Sequence, residues 1–358
     1  MLAYFTLFFM PSFYSLLAVS NNKKKTIYFC FAFSILCILI LGTRHKVGGD
    51  WINYLYIYNN INDYFSPFSI NFLSTNYLFD LINYLSFNNN LGFVTSNIIN
   101  QIIFIFGLFF YAIRQSQPSM IFVLSVPYLI IVVSTGYVRQ ASALGIILVS
   151  LPYLFNAKFL KFSLLIFFAT LFHKTAFIML ILIPVVQNKF LNLKINIKIL
   201  ISFILIIPFS IFIYFYLLQF QYNYIIRFYV GDEMHFTSTG AIFRYSLFFI
   251  SAILCLFFRN ILFTNLKERK YYVFLSVLTL AMSLFIFKYS SAVDRILIYF
   301  YPLQLFVLSR LHTIFSDNHH RVLYNILIIF IYLCLLLIWA HFGKFSNHWI
   351  PFNSKIFL

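Results

Sequence analysis

Acid is what this sequence has least of: eight Asp and Glu against 25 Lys and Arg in 358 residues, a formal charge of +17. All charged residues together make up 9% of the chain and hydrophobic residues 62%, with a mean hydropathy of +0.91. That balance excludes a soluble globular protein, because about 20 apolar residues suffice to cross a bilayer and apolar runs recur nearly end to end. Cysteine is scarce too. Cys30, Cys37, Cys255 and Cys334 all lie in apolar segments and form no CxxC pair, so they read as core- or lipid-facing side chains and not as redox or metal groups. No DxD, HExxH, P-loop or GxGxxG occurs, which removes the usual signs of metal, ATP or dinucleotide chemistry. Nor is there a low-complexity tract, an internal repeat or a Pro/Ser/Gly linker, so the economical reading is one membrane domain over 1–358. The basic residues stand in short clusters between apolar runs, the pattern of cytoplasmic loops and not of a nucleic-acid-binding surface.

Hydropathy predicts an all-α polytopic membrane protein with spans near 2–19, 26–42, 91–113, 119–137, 140–157, 197–218, 241–258, 271–287, 295–315 and 322–342. The first run has no basic residue before it, and Lys23, Lys24 and Lys25 follow it, so it reads as a retained helix with its N-terminus outside. The run 159–186 carries His173-Lys174 in its middle and basic residues at both ends. Two short helices or a re-entrant hairpin with His173 at the tip let the other loops obey the positive-inside rule, for about 11–12 membrane helices in all. Arg44, Lys46, Arg139, Lys174, Arg244, Lys288 and Arg295 then fall at the outer helix ends, with Asp50, His173 and Asp294 beside them. Such charges cost about 2.5–3.5 kcal/mol each if driven to helix centres, so something on the outer face must need them. Two outer loops are long, 43–90 and 219–240. The first contains "NYLFDLINYLSF" (76–87), whose apolar spacing predicts a helix along the membrane surface.

Four stretches carry the chemistry. In "RHKVGGDWINYLY", Gly48-Gly49 predicts a turn and Asp50 the N-cap of a helix that puts Asp50, Asn53 and Tyr54 on one face. The plain reading is turn and cap alone. The functional one has the glycines approach a phosphate that Arg44 and Lys46 neutralise, while Asp50 acts as base or binds sugar hydroxyls. "GYVRQASALGI" sets Arg139-Gln140 at a helix start, either snorkelling to headgroups or binding an anion. "LFHKTAF" holds His173 and Lys174 in an apolar setting that offers no cheap structural reason for them. "FKYSSAVDRILIYFYP" holds Lys288, Asp294 and Arg295, where Asp294 has the alternatives of capping a helix or pairing with a neighbouring cation. Several basic sites on one membrane boundary suit a lipid diphosphate, with its head at the interface and its tail in the bilayer.

"GTRHKVGGDWINY" resembles the R-x-x-x-G-x-D-(aromatic)-x-x-Y signature of the EpsG-like, Wzy-type polysaccharide polymerases. "VRQASALGI", "FHKTAFIMLILIP" and "DRILIYFYPL" follow in that family's order, so the resemblance runs from about 26 to 315. Gly49 departs from the Thr or Ser often found there. The resemblance implies a GT-C-like helical fold and a glycosyltransferase of the bacterial inner membrane, active on the periplasmic face. It would join undecaprenyl-diphosphate-linked oligosaccharide repeat units of O-antigen, capsule or exopolysaccharide. It implies no metal or other cofactor, no nucleotide sugar and no nucleic acid, with the bilayer, a flippase and a chain-length regulator as partners. On that reading Asp50 is the first choice for the base and His173 the second. Arg44, Arg139, Lys174, Arg244, Lys288 and Arg295 would hold the diphosphate, and Asn53, Tyr54, Gln140, Asp232, Glu233 and Asp294 the sugars. The competing readings are an O-antigen ligase, which shares the lipid donor, and a transporter or flippase. A transporter needs charges lining a path to both faces, whereas these gather on one boundary.

Overall fold

The computed structural model describes residues 1–17, 22–67, 76–187 and 240–355. The elements in chain order are α1 (Leu2–Leu17), α2 (Lys23–Gly42), α3 (Trp51–Asn59), α4 (Ile61–Tyr64), α5 (Tyr77–Asn88), α6 (Phe93–Ala112), α7 (Pro118–Gly136), α8 (Val138–Phe155) and α9 (Phe159–Phe172). They continue with α10 (Leu182–Val186), α11 (Ala241–Phe257), α12 (Leu266–Ala281), α13 (Ser290–Arg310) and α14 (Asn318–Phe342). No strand occurs among the described residues, and the protein is an all-α polytopic membrane protein. Among the described residues six helices are long and apolar enough to cross a membrane: α2, α6, α7, α8, α13 with the 3-10 turn after it, and α14. The span expected at 197–218 and most of the outer loop expected at 219–240 lie outside the described residues.

The helices match the expected spans with instructive shifts at their ends. Lys23, Lys24 and Lys25 form the first turn of α2 and not a loop, because Asn22 caps the helix by accepting from Lys24 N at 2.9 Å. Lys267 and Arg269 likewise sit in the first turn of α12, capped by Asn265, with Lys270 just after it. The run 159–186 is broken: α9 ends at Phe172, His173 is extended, and a 3-10 stretch, Lys174–Ile181, follows it.

The described residues form two compact units. The first takes Met1–Leu180, Asn260–Leu262 and Gln304–Leu358. Its axis is α7, 94% buried across its apolar window, whereas α14 is only 22% buried and turns apolar side chains outward, as a lipid-facing helix does. Pro127 lacks an N–H to give to the helix, and from Val126 to Val133 α7 widens to a π-helix that leads into Ser134 and Thr135. Against this frame α2 packs on α6, α6 on α8 and α8 on α9. The α6–α8 contact is backbone to backbone. A Cβ on Gly107 would lie 2.1 Å from Gly145 O, so only glycine permits the approach. It brings Asn100 of α6 to Ser142 of α8 (2.9 Å), part of a buried polar seam with Asn97, Gln101 and Ser134.

The second unit takes Ile181–Arg259 and Phe263–Leu303. Here α10 and α11 pack on α12, and Tyr245 donates to Thr279 O at 2.9 Å. Phe248 stands edge-on to Tyr301 of α13 at 4.8 Å.

Candidate active site

The segment 43–50 is built around Arg44, which is 1% exposed. Its Nε donates to Val47 O (3.2 Å), Nη1 to Leu41 O (3.0 Å), and Nη2 to Asn97 Oδ1 (2.9 Å) and Thr135 O (3.5 Å). Trp51 covers the guanidinium at 5.7 Å. Burial lowers the Arg44 pKa to about 10, with the Tyr54 and Tyr4 phenols opposing, so it stays charged at neutral pH. A guanidinium committed to these acceptors orders the loop from within.

The glycines serve the same packing. Gly48 has φ +116°, and a Cβ there would lie 2.4 Å from Thr135 O; one on Gly49 would touch the Trp349 ring at 3.0 Å. Their close approach in the structure is to the protein's own backbone and indole. The C-terminal segment clamps the loop from outside. His45 N donates to Asn353 O, Lys355 N to Thr43 O and Gly48 N to His348 O, each at 2.9 Å. Trp349 Nε1 donates to Thr135 Oγ1 at 2.7 Å, and Tyr4 Oη to Trp349 O at 2.8 Å.

The loop so held delivers α3, and with it a cluster around Arg139. That residue lies half-buried in the first turn of α8, as the sequence predicts, because Tyr137 breaks the chain out of α7. Its guanidinium hydrogen-bonds the Tyr54 hydroxyl and lies over the rings of Tyr54 (5.6 Å) and Phe79 (5.8 Å). With the Asn76 amide oriented by its hydrogen bonds, its oxygen accepts from Arg139 Nη1 at 2.7 Å and its nitrogen donates to Phe172 O at 3.2 Å. Asp80 and Asp50 both act electrostatically on Arg139, and Lys174 on Arg139 and Asp80. Asp50 occupies the N-cap position of α3, half-buried, but makes no side-chain cap bond to that helix. His173 Nδ1 lies 2.7 Å from Thr175 Oγ1.

The first unit thus gathers Asp50, Tyr54, Arg139 and Lys174, with His173 next in the chain and Gln140 buried beside Arg139 in sequence. Asn53 does not share the Tyr54 face: Tyr54 is buried and Asn53 exposed. Arg244, Lys288, Asp294 and Arg295 belong to the second unit. There Arg244 grips Asp294 with Nε to Oδ1 at 2.8 Å and Nη2 to Oδ2 at 2.7 Å, while Lys288 and Arg295 are exposed. Asp232 and Glu233 lie outside the described residues. No three His, Cys, Asp or Glu among the described residues come together as metal ligands.

The EpsG family model matches residues 26–354, nearly the whole chain. The chain belongs to the EpsG family. No curated protein and no solved structure matches it significantly. The EpsG match reaches beyond the motif-bearing region to 354 and so includes the clamp formed by Trp349, Asn353 and Ser354. Membership supports a polysaccharide polymerase-type function, that of a glycosyltransferase in a multi-pass membrane protein.

Sequence reasoning missed Asp80, Asn76 and Trp349. The buried side of α5 is Phe79, Asp80, Asn83 and Ser86, which faces α6. The apolar spacing of "NYLFDLINYLSF" hid this, since the stripe turned inward is largely polar. The signal was present in an acid set between Leu78-Phe79 and Leu81-Ile82 in a chain with eight acids. Burial pushes the Asp80 carboxyl up to about 6, with Arg139, the Asn76 amide and Lys174 pulling it down.

Proposed function

We propose that the protein is a polysaccharide polymerase that joins undecaprenyl-diphosphate-linked oligosaccharide units on the periplasmic face of the bacterial inner membrane. The observation that carries this reading is the half-buried Arg139, set with Lys174 among two carboxylates and an aromatic wall at a helix start. A diphosphate leaving group develops negative charge as the glycosidic C–O bond breaks, and preorganised cations lower that barrier. Arginine's planar fork suits the phosphate oxygens. The first turn of α8 adds the positive end of an 18-residue helix. The donor arrives already activated by its diphosphate, so no nucleotide is required, and Arg139 with Lys174 does the neutralising that a divalent ion does elsewhere. The incoming sugar hydroxyl loses a proton to a group bordering Arg139, where the sequence offers Asp50 and His173.

In this reading Arg44 positions the loop and does not touch the diphosphate. Tyr54, which borders Arg139, and Gln140, which follows it in α8, are the residues assigned to the sugar in this reading. The test is the surface polysaccharide of a strain lacking the gene. A single repeat unit on its acceptor with no ladder is the expected result. Absence of any unit, or lipid-linked polymer accumulating in the periplasm, would instead indicate a flippase or a ligase respectively.

A further inference from the structure

The polymerase reading, on which any role for Asp80 in the chemistry rests, leaves the proton acceptor open between Asp50 and His173. The cluster contains a third candidate. Asp80 is 6% exposed, on the inward face of α5. Among the described residues no salt bridge ties it to Arg139 or Lys174, although both act on it through space. Its carboxylate accepts the backbone N–H of Asn76, the residue whose side-chain oxygen takes Arg139 Nη1 at 2.7 Å. Asn76 thereby fixes the carboxylate and the guanidinium with its two ends, and its amide nitrogen anchors both to Phe172 O beside the His173 break. A carboxylate locked in a bidentate pair with arginine is a poor base, as Asp294 is beneath Arg244. One held near a cation without such a pair keeps its basicity and stays ionised when the site needs it.

We infer that Asp80 is the group that takes the proton of the acceptor sugar hydroxyl. The hydroxyl oxygen forms its bond to the anomeric carbon as the bond from that carbon to the diphosphate oxygen breaks. The electron pair leaves with the diphosphate, held by Arg139, and the proton passes to the Asp80 carboxylate and then to water. Asp50 then serves Arg139, acting on it and on Tyr54 from α3. An Asp80 pKa of about 6 leaves it ionised at neutral pH yet a stronger base than an ordinary carboxylate.

The charged and titratable groups facing Asp80 are Arg139 of α8, Lys174 after α9, and Tyr64 of α4. Asp50 and Tyr54 of α3 reach it through Arg139. Helix α6 carries no charged residue, and α9 only Lys161, near the end remote from Phe172.

The experiment reconstitutes the full chain in liposomes with lipid-linked repeat units extracted from a strain lacking the gene. Polymer formation is followed from pH 5 to 8 for wild type, Asp80→Asn, Asp80→Glu and His173→Gln. Wild-type turnover is expected to fall about tenfold per pH unit below about 6. Asp80→Asn is expected to lose about 100-fold or more of kcat while KM for the lipid-linked donor changes little, and Asp80→Glu to recover part of the rate with a displaced acid limb. Asp80→Asn polymerising at the wild-type rate, or an acid limb that vanishes in His173→Gln alone, overturns the inference. If Asp80→Asn does not accumulate, the wild-type and Asp80→Glu profiles decide it, and the absence of any acid limb near pH 6 overturns it. A wild-type protein that makes no polymer at any pH overturns the polymerase reading itself, whatever Asp80 does.

Discussion

Trp349 Nε1 donates to Thr135 Oγ1 at 2.7 Å across 214 positions of chain, and the same indole covers Gly49 and Gly136 so closely that a Cβ would meet it at 3.0 and 2.8 Å. One residue near the C-terminus therefore sets the spacing between the segment that delivers Asp50 and Tyr54 and the turn that delivers Arg139. Trp349→Ala should cost about 3–5 kcal/mol, the usual penalty for emptying a buried aromatic site. Removing everything after Phe342 should cost more, because the clamp bonds at His45, Gly48 and Lys355 go with it. Thermal midpoints in detergent and polymer length in cells check both; a truncated chain with a normal ladder would show the clamp to be dispensable.

Arg44 and Arg139 are separated by their surroundings, and their variants should behave oppositely. Arg44→Gln strips donors from Leu41 O, Val47 O and Asn97 Oδ1, each a buried acceptor that costs about 1–3 kcal/mol when unsatisfied. It should lower the amount of folded protein in the membrane. Arg139→Lys keeps the charge and loses the fork, so protein should accumulate normally while turnover falls about 10–100-fold, the worth of a charge-assisted hydrogen bond. Quantifying membrane-inserted protein beside polymer yield separates the two. Equal loss of folded protein in both variants would contradict the division of roles.

The sequence showed the six spans that the described residues contain to within about five residues at each end, because hydropathy in a bilayer is a local property that each segment carries alone. The helix starts at Val138 and the break at His173 were also legible, since Arg139 and the His173-Lys174 pair are conspicuous among apolar neighbours. What the sequence hid was direction. The apolar spacing of α5 looked like a membrane-facing stripe, yet its polar residues Asp80, Asn83 and Ser86 are the buried ones, because the protein interior near α6 is more polar than lipid. Arg44 and Arg139 looked equivalent for a similar reason. Only long-range contacts, with Asn97 and Thr135 for one and with Tyr54 and Asn76 for the other, distinguish them.

Asp80 should weigh against stability. Its carboxyl has an ordinary pKa of 3.8 and reaches about 6 in the folded protein, chiefly through burial. Between those values the folded state binds more protons than the unfolded one, so stability falls as pH rises, and the full penalty is present above about 6. The rise corresponds to about 3 kcal/mol. Asp80→Asn removes the charge at almost constant shape, so it should raise the thermal midpoint at pH 7.5 and change it little near pH 4, while abolishing turnover. A midpoint that drops at pH 7.5 would mean that Asp80 holds the fold together through Arg139 and Lys174.

In the second unit the pairing of Arg244 with Asp294 can be tested by mutual dependence. The two side chains are 22% and 10% exposed and joined by two short bonds, so breaking the pair leaves a poorly solvated charge behind. Either Arg244→Met or Asp294→Asn should destabilise by something approaching about 3–5 kcal/mol, the range for a buried pair that loses one partner. The double variant leaves neither charge stranded and should be more stable than the sum of the single losses. Additive stability losses would mean that the two residues act independently. Double-variant thermal midpoints in detergent, compared with those of the two single variants, measure this coupling, and recovery in the double variant would assign the pair to the architecture of the second unit.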